Sequence, residues 1–237
     1  MLNKFVLSAA LVVAGSAGFA QGFSGAELEI EFTDGTDVED IGGISYSGAV
    51  EAEVGYGISV ALGATAYNFD VGEDSISNLT LHGIYAIDNA TSFGLFFGQD
   101  RLDGEAGELF GAEVAYDFGL GDFQAYAGRA NDTSDDLTIF GVSGTYDLGS
   151  GFSFGGTVDR FSGDGFSASA LELGGYYTLA QGPQFGVTFG QSNLDSGGSD
   201  VSENFFGLQA SVAIGPNGGT TFDRRGIYEI IKIGPSL

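Results

Sequence analysis

Glutamate recurs at alternate positions in the stretch AELEIEF, as Glu27, Glu29 and Glu31. A period of two belongs to a β-strand, so the three carboxylates share one face. Glu51 and Glu53 repeat the spacing, and Glu113 and Glu172 stand singly within alternating runs. Like charges this close repel unless water, cations or basic groups intervene. The chemistry these residues can do is therefore electrostatic. One reading is a wall that attracts cations, as acidic rings do in cation pathways. The other is a solvated wall that pairs with a basic plug. Bases are scarce, with seven Lys and Arg against 32 Asp and Glu. Three of them, Arg224, Arg225 and Lys232, sit in the final stretch GGTTFDRRGIYEIIKIGPSL and make residues 217–237 the candidate plug. A free tail, or a last strand at 228–233, are the alternatives for that stretch.

Other chemistries find little support. The one histidine is His82. Nucleophilic catalysis needs a serine within reach of a histidine and a group that orients it. No spacing here suggests such a set, and His82 reads as a solvated residue. Glycoside hydrolysis needs two carboxyls at a defined separation, one with a raised pKa, which a wet acidic wall does not offer. The acidic stretches around Asp34, Asp37, Glu39 and Asp40 and around Asp195 and Asp200 lack the EF-hand ligand pattern. Their role is solvation, or loose bridging to lipopolysaccharide through divalent ions. Zero cysteine excludes disulfides and thiolate metal sites. A formal charge of -25 argues against nucleic acid, whose phosphates demand a basic patch. The expectation is a protein that is not an enzyme and carries no cofactor.

The elements that carry these residues alternate between apolar and polar in runs of about ten. About twelve such strands fit between residues 25 and 216, with no linker dividing them. Their connections also alternate in character. One set is short, as in Gly55-Tyr56-Gly57, Gly119-Leu120-Gly121-Asp122 and Gly149-Ser150-Gly151. The other is acidic and longer, at 33–42, 70–75, 101–107, 131–136, 162–165 and 194–202. Aromatics gather beside the short turns: Tyr56, Tyr85, Tyr116, Phe118, Phe123, Tyr146, Phe152 and Tyr177. Rings recurring at one end of a barrel predict an interfacial girdle.

Alternation alone does not separate inside from outside. A barrel of about twelve strands is too wide for one layer of apolar side chains to fill. Turned outward, the same apolar face meets lipid, and closure pairs every backbone group. Residues 1–20, MLNKFVLSAALVVAGSAGFA, read as a secretory signal peptide: Lys4, a short apolar run, then small residues. The predicted fold is all-β, a transmembrane antiparallel up-and-down β-barrel over 21–216, with short periplasmic turns and acidic external loops. Glu27, Glu29, Glu31, Glu51, Glu53, Glu113 and Glu172 then face the lumen.

The strand-turn-strand units GAEVAYDFGLGDFQAYAGR and VSGTYDLGSGFSFGGTVDR resemble the porins of the Gram-negative outer membrane. The resemblance is architectural and spans residues 25–216. It implies a bacterial outer-membrane location, lipid and lipopolysaccharide as surroundings, and passive passage of small solutes or cations. Two departures stand out. The chain has no long constriction loop, and it runs on past the last strand to Leu237 rather than ending on a terminal aromatic. The acidic lumen favours cations; the alternative is a closed or plugged structural or adhesion barrel acting through its acidic loops.

Overall fold

The computed structural model describes residues 22–36, 42–69, 76–102, 105–131, 136–180, 182–197 and 199–227. The proposed leader, Lys232 and the candidate strand at 228–233 lie outside them. Twelve strands form in chain order: β1 (Phe23–Gly35), β2 (Gly42–Gly55), β3 (Ile58–Phe69), β4 (Ile76–Ala86), β5 (Thr91–Leu102), β6 (Glu105–Asp117), β7 (Gly121–Asn131), β8 (Asp136–Gly149), β9 (Phe152–Gly163), β10 (Phe166–Thr178), β11 (Pro183–Ser196) and β12 (Ser199–Ile214). Each pairs antiparallel with its sequence neighbours, and β1 pairs with β12 from Ala26↔Ile214 to Gly35↔Phe205. The sheet is a closed barrel. Closure leaves no edge of unpaired N–H and C=O groups, which hydrocarbon would not tolerate.

The strands are tilted. Following hydrogen-bonded partners from Ala26, near the short-turn end of β1, leads to Arg129 on β7 and to Asp195 on β11, at the long-loop end. That climb is the stagger a closed barrel requires.

The apolar face looks outward. Leu28, Ile30, Leu62, Leu81, Leu95, Phe97, Val187 and Phe189 are all exposed on the outer wall. Their partners in alternation, such as Thr80, His82, Glu51 and Glu113, are buried inside. In water this would be an inverted protein; in lipid it is the low-energy arrangement. Toward the long-loop end the belt gives way to Gln99, Glu108, Arg129, Thr138, Ser169 and Asn204.

At the other end lies the aromatic collar. Tyr85, Tyr116, Phe118, Phe123, Tyr146, Phe152 and Tyr177 are exposed beside the short turns. Several rings touch around the wall: Phe152 and Tyr177 at 4.6 Å between centroids, Tyr146 and Phe154 at 5.6 Å. Tyr56 projects from the tip of the β2–β3 turn, 99% exposed. Its backbone is left-handed (φ 58°), held between Gly55 and Gly57, which are also left-handed.

The acidic connections are shorter than the sequence suggests. β11 and β12 continue pairing through Leu194↔Val201 and Asp195↔Asp200 to Ser196↔Ser199. Much of the expected 194–202 loop is therefore strand. At β9–β10 only Asp164 and Gly165 form the turn. Polar residues mark where the chain leaves lipid, but they do not end the ladder, because a paired strand satisfies its backbone in water too.

The outward orientation predicts an asymmetric response to charge. Leu95→Arg, at the middle of the belt, should cost about 2–4 kcal/mol of folding free energy in lipid vesicles. Ser143→Arg, on the inner wall, should cost much less. Urea titrations monitored by fluorescence and by heat-modifiable gel migration would measure both; equal costs would contradict the assigned faces.

Candidate functional site

The inner wall of a twelve-stranded barrel must be wet, or filled by something other than itself. Two things fill it here. At the long-loop end, Phe96, Leu109, Tyr126, Ala130, Leu137, Ile139, Phe161 and Ala168 point inward and pack together as a buried cluster. Phe166, Leu194 and Ile227 lie against it. The sequence reading assigned the lumen a polar wall. The correction is that β5–β10 also place large apolar side chains inside, where they pack on one another along that run of strands and exclude water.

The second filling is the chain after β12. It reverses through Gly215, Gly218 and Gly219, all with positive φ, and the Asn217 N–H donates to the Ser24 carbonyl at 3.1 Å. The path passes so close to β1 that a Cβ on Gly25 would collide with the Gly219 carbonyl. Residues 220–227 then run inside the barrel from the short-turn end.

Each tail residue meets a prepared partner. The Thr221 N–H donates to Glu51 at 2.8 Å. Phe222, 1% exposed, packs on Ala61, Ile84 and Ala115 and lies nearly parallel to His82, 6.1 Å between centroids. The Asp223 N–H donates to Gln124 at 3.2 Å, and the Ser143 hydroxyl donates to the Asp223 carboxylate at 3.2 Å. Arg224 donates to Glu29 at 2.9 Å and lies 3.6 Å from Glu27. The Ile227 N–H donates to Asp100 at 2.7 Å.

Arg225 is the centre of this set, 5% exposed. Its guanidinium donates to Glu113 and to Gln124, both at 3.2 Å, and lies over the Tyr126 ring at 4.4 Å. Its carbonyl accepts from Asn78 and Thr80, each at 2.9 Å. Glu113 bonds His82 Nδ1 through its other oxygen at 2.6 Å. His82 is therefore not a solvated lumen residue: it is 2% exposed, between Glu113 and Phe222. A charge removed from water is costly unless it is paired and hydrogen-bonded; Arg225 is paired with Glu113 and donates to Gln124 as well.

The wall is cut to this shape. Gly63, Gly94 and Gly98 face inward, and a Cβ on each would press on Arg224, on Phe222 and Glu113, and on the Arg225 carbonyl, respectively. The tail occupies the room that these inward glycines leave.

Open space remains on two sides. A cavity of about 1090 Å³ opens at the short-turn end. Its lining holds Glu27, Glu29, Glu51, Glu53, Asp88, Asp117, Asp122 and Asp223, and no Lys or Arg among the described residues. At its rim, the backbone N–H groups of Ala90 and Thr91 hold the exposed Asp88 carboxyl below its ordinary pKa. A second space of about 180 Å³ lies deeper, between Arg224, Arg225 and the wall, with Glu27, Glu29, Glu31, Asp159 and Glu172. The structure thus brings Glu27, Glu29, Glu51 and Glu113 to the tail. It leaves Glu53 on the vestibule wall, and Glu31 and Glu172 on the inner space.

The residues that complete the cradle were not singled out from sequence: Asn78, Thr80, Asp100, Gln124, Tyr126 and Phe222. The one available signal was Phe222, a lone aromatic beside two arginines in a polar tail. Around His82 the closest groups are the Glu113 carboxylate and the Phe222 ring.

No family model and no curated protein matches the chain. Solved structures do. The KdgM porin aligns with a TM-score of 0.56 at 6% identity, covering 78% of this chain and 98% of that one. The same porin in complex with disordered oligogalacturonate aligns at 0.55 and 7% identity, covering 79% and 98%. The NanC porin aligns at 0.54 and 12% identity, covering 79% and 98%. The chain therefore has the fold of the outer-membrane porin-like β-barrels.

The two arginines predict different costs. Arg225→Gln removes the guanidinium from buried Glu113, leaving it only His82, and should destabilise the docked tail by about 3 kcal/mol. Arg224→Gln should cost less, because its partners Glu27 and Glu29 also line the open vestibule, where water can reach them once the guanidinium is gone. Limited proteolysis of residues 215–227 in detergent reads the difference: cleavage should be fast in the first variant and near wild type in the second.

Proposed function

We propose that this protein is a passive outer-membrane channel for small solutes, closed at rest by its own C-terminal segment and cation-preferring through its acidic wall. The observation that carries the reading is the division of charge inside the barrel. Eight carboxylates and no base line the short-turn vestibule; only two of them, Glu27 and Glu29, meet Arg224, and Arg225 meets Glu113 deeper in. A wall of one sign, enclosed by low-dielectric lipid, concentrates counter-ions. The tail sits at the point where that wall narrows.

Porin-fold neighbours support a channel, and one was solved with oligogalacturonate. That ligand is an anionic chain, and the vestibule here is anionic as well. The preference proposed for this chain is therefore for cations or neutral molecules. The collar from Tyr56 to Tyr177 would seat the short-turn end at the periplasmic interface.

A second reading has its own support. The apolar cluster around Phe161 and Leu109 is built from wall side chains of β5–β10 and fills space at the long-loop end, with Ile227 of the tail packed against it. A barrel shut at both places would be a structural or adhesion element.

Planar-bilayer recording separates the two. Full-length protein should give small or rare conductance steps. Removal of 217–237, which leaves every described β-strand intact, should raise unit conductance several-fold. In a salt gradient the truncated barrel should show a cation-selective reversal potential. Glu51→Gln with Glu53→Gln in that same background should move it measurably toward zero. A truncated barrel that folds but conducts no better than the full chain would establish the closed reading.

A further inference from the structure

Apart from Lys4, the chain has six basic residues, and the tail holds three of them. The remaining three are Arg101, Arg129 and Arg160, and all are exposed. Alternation puts every one on the outer wall: Arg101 follows Phe97 on β5, Arg129 pairs with outward Phe110, and Arg160 pairs with outward Phe140. They occupy β5, β7 and β9, alternate strands of one arc.

The tilt aligns them. The hydrogen-bonding line through Arg129 meets Phe97 on β5 and Ser162 on β9. That line climbs toward the long-loop end as it goes from β5 to β9. Arg101 stands four residues above it where it is low, and Arg160 stands two residues below it where it is high. At about 3.3 Å per residue and about 4.8 Å per strand, the three fall at nearly one height. Neighbours along the arc are roughly 10 Å or more apart.

That height is the upper edge of the apolar belt. Phe97, Phe110, Phe140 and Val158 lie just below it, exposed on the same wall. Glu108 stands between Arg101 and Arg129, so the arc at this level is net positive. The adjoining arc, β10–β12, carries Ser169, Asn193 and Asn204 at its polar edge and no described base. In a chain of formal charge -25, this confinement of the outward bases is the least expected feature of the surface.

We infer that the arc of Arg101, Arg129 and Arg160 is a binding surface for an anionic membrane lipid, one whose headgroup phosphate carries a net negative charge. Guanidinium forks match phosphate oxygens, and the rings below offer an acyl chain its contact. A free phosphate would gain nothing from the apolar half, whereas a lipid engages both. The charge is also of the right sign to seat an acidic barrel, whose loops repel an anionic leaflet, through one side of its wall.

The test uses the refolded full-length chain in mixed micelles doped with diphosphoryl lipid A, phosphatidylglycerol or phosphatidylcholine. Lipid retained after gel filtration is counted by native mass spectrometry. Wild type should retain diphosphoryl lipid A and phosphatidylglycerol, and the R101Q/R129Q/R160Q variant should retain about tenfold less or lower. Phosphatidylcholine should not distinguish the two. The R101K/R129K/R160K variant keeps the charge and should keep most of the retention. Heat-modifiable migration reports barrel closure in each variant. Equal retention by wild type and the glutamine variant would overturn the inference. So would equal loss in the lysine and glutamine variants, which would point to disturbed packing rather than charge. Conductance of the tail-deleted barrel should not change with any of these arginines, so failure here leaves the channel reading untouched.

Discussion

Backbone hydrogen bonding in a medium without water governs this structure. A strand in lipid can satisfy its N–H and C=O groups only through neighbouring strands, so the sheet must close on itself. The β1–β12 pairing makes that closure. Once it exists, side chains have only two destinations. Leu95 and Phe189 go to lipid; Glu51, Glu113 and Thr80 go inside. The inward set is polar because the outward set had to be apolar, and a carboxylate facing hydrocarbon would be far costlier than one facing a lumen.

Closure at twelve strands creates a problem of its own, since the wall cannot fill the space it encloses. The protein resolves this with an apolar cluster at one end and its own terminus at the other. The terminus solves an electrostatic problem as well. Glu113 sits where water is excluded, and an isolated carboxylate there would cost several kcal/mol. Arg225, His82 and the hydroxyl and amide groups around them make the position tenable. The tail and the wall depend on each other: without Arg225 the buried acid is stranded, and without Glu113 the guanidinium is.

The barrel was largely legible before any coordinates. Period-two alternation, short turns such as Gly55-Tyr56-Gly57 and the recurrence of rings beside them specify strands, faces and ends, because each depends on neighbours close in sequence. Glu27, Glu29 and Glu31 were placed on the inner face by the same rule, as was His82. What His82 does there was not legible. Its partners, Glu113 and Phe222, lie 31 and 140 positions away, and nothing local marks them. The inward apolar residues were missed for a related reason. Phe96, Leu109 and Phe161 sit at positions where alternation predicts polarity, and only the assembled run of strands β5–β10 gathers them into one cluster.

By itself, then, the sequence determined about twelve strands with one apolar and one polar face; the width of such a barrel, together with the leader-like first twenty residues, turned the apolar face outward and the acids inside. Those outcomes rest on contacts between residues a few positions apart or in adjacent hairpins. Tertiary structure alone decided what occupies the middle and how the outer charges line up. Whether Arg225 reaches Glu113, and whether Arg101, Arg129 and Arg160 stand at one height, depends on strand stagger and on the direction the chain takes after Ile214. Stagger is a property of the closed ring, accumulated over twelve pairings, and no single stretch of sequence contains it.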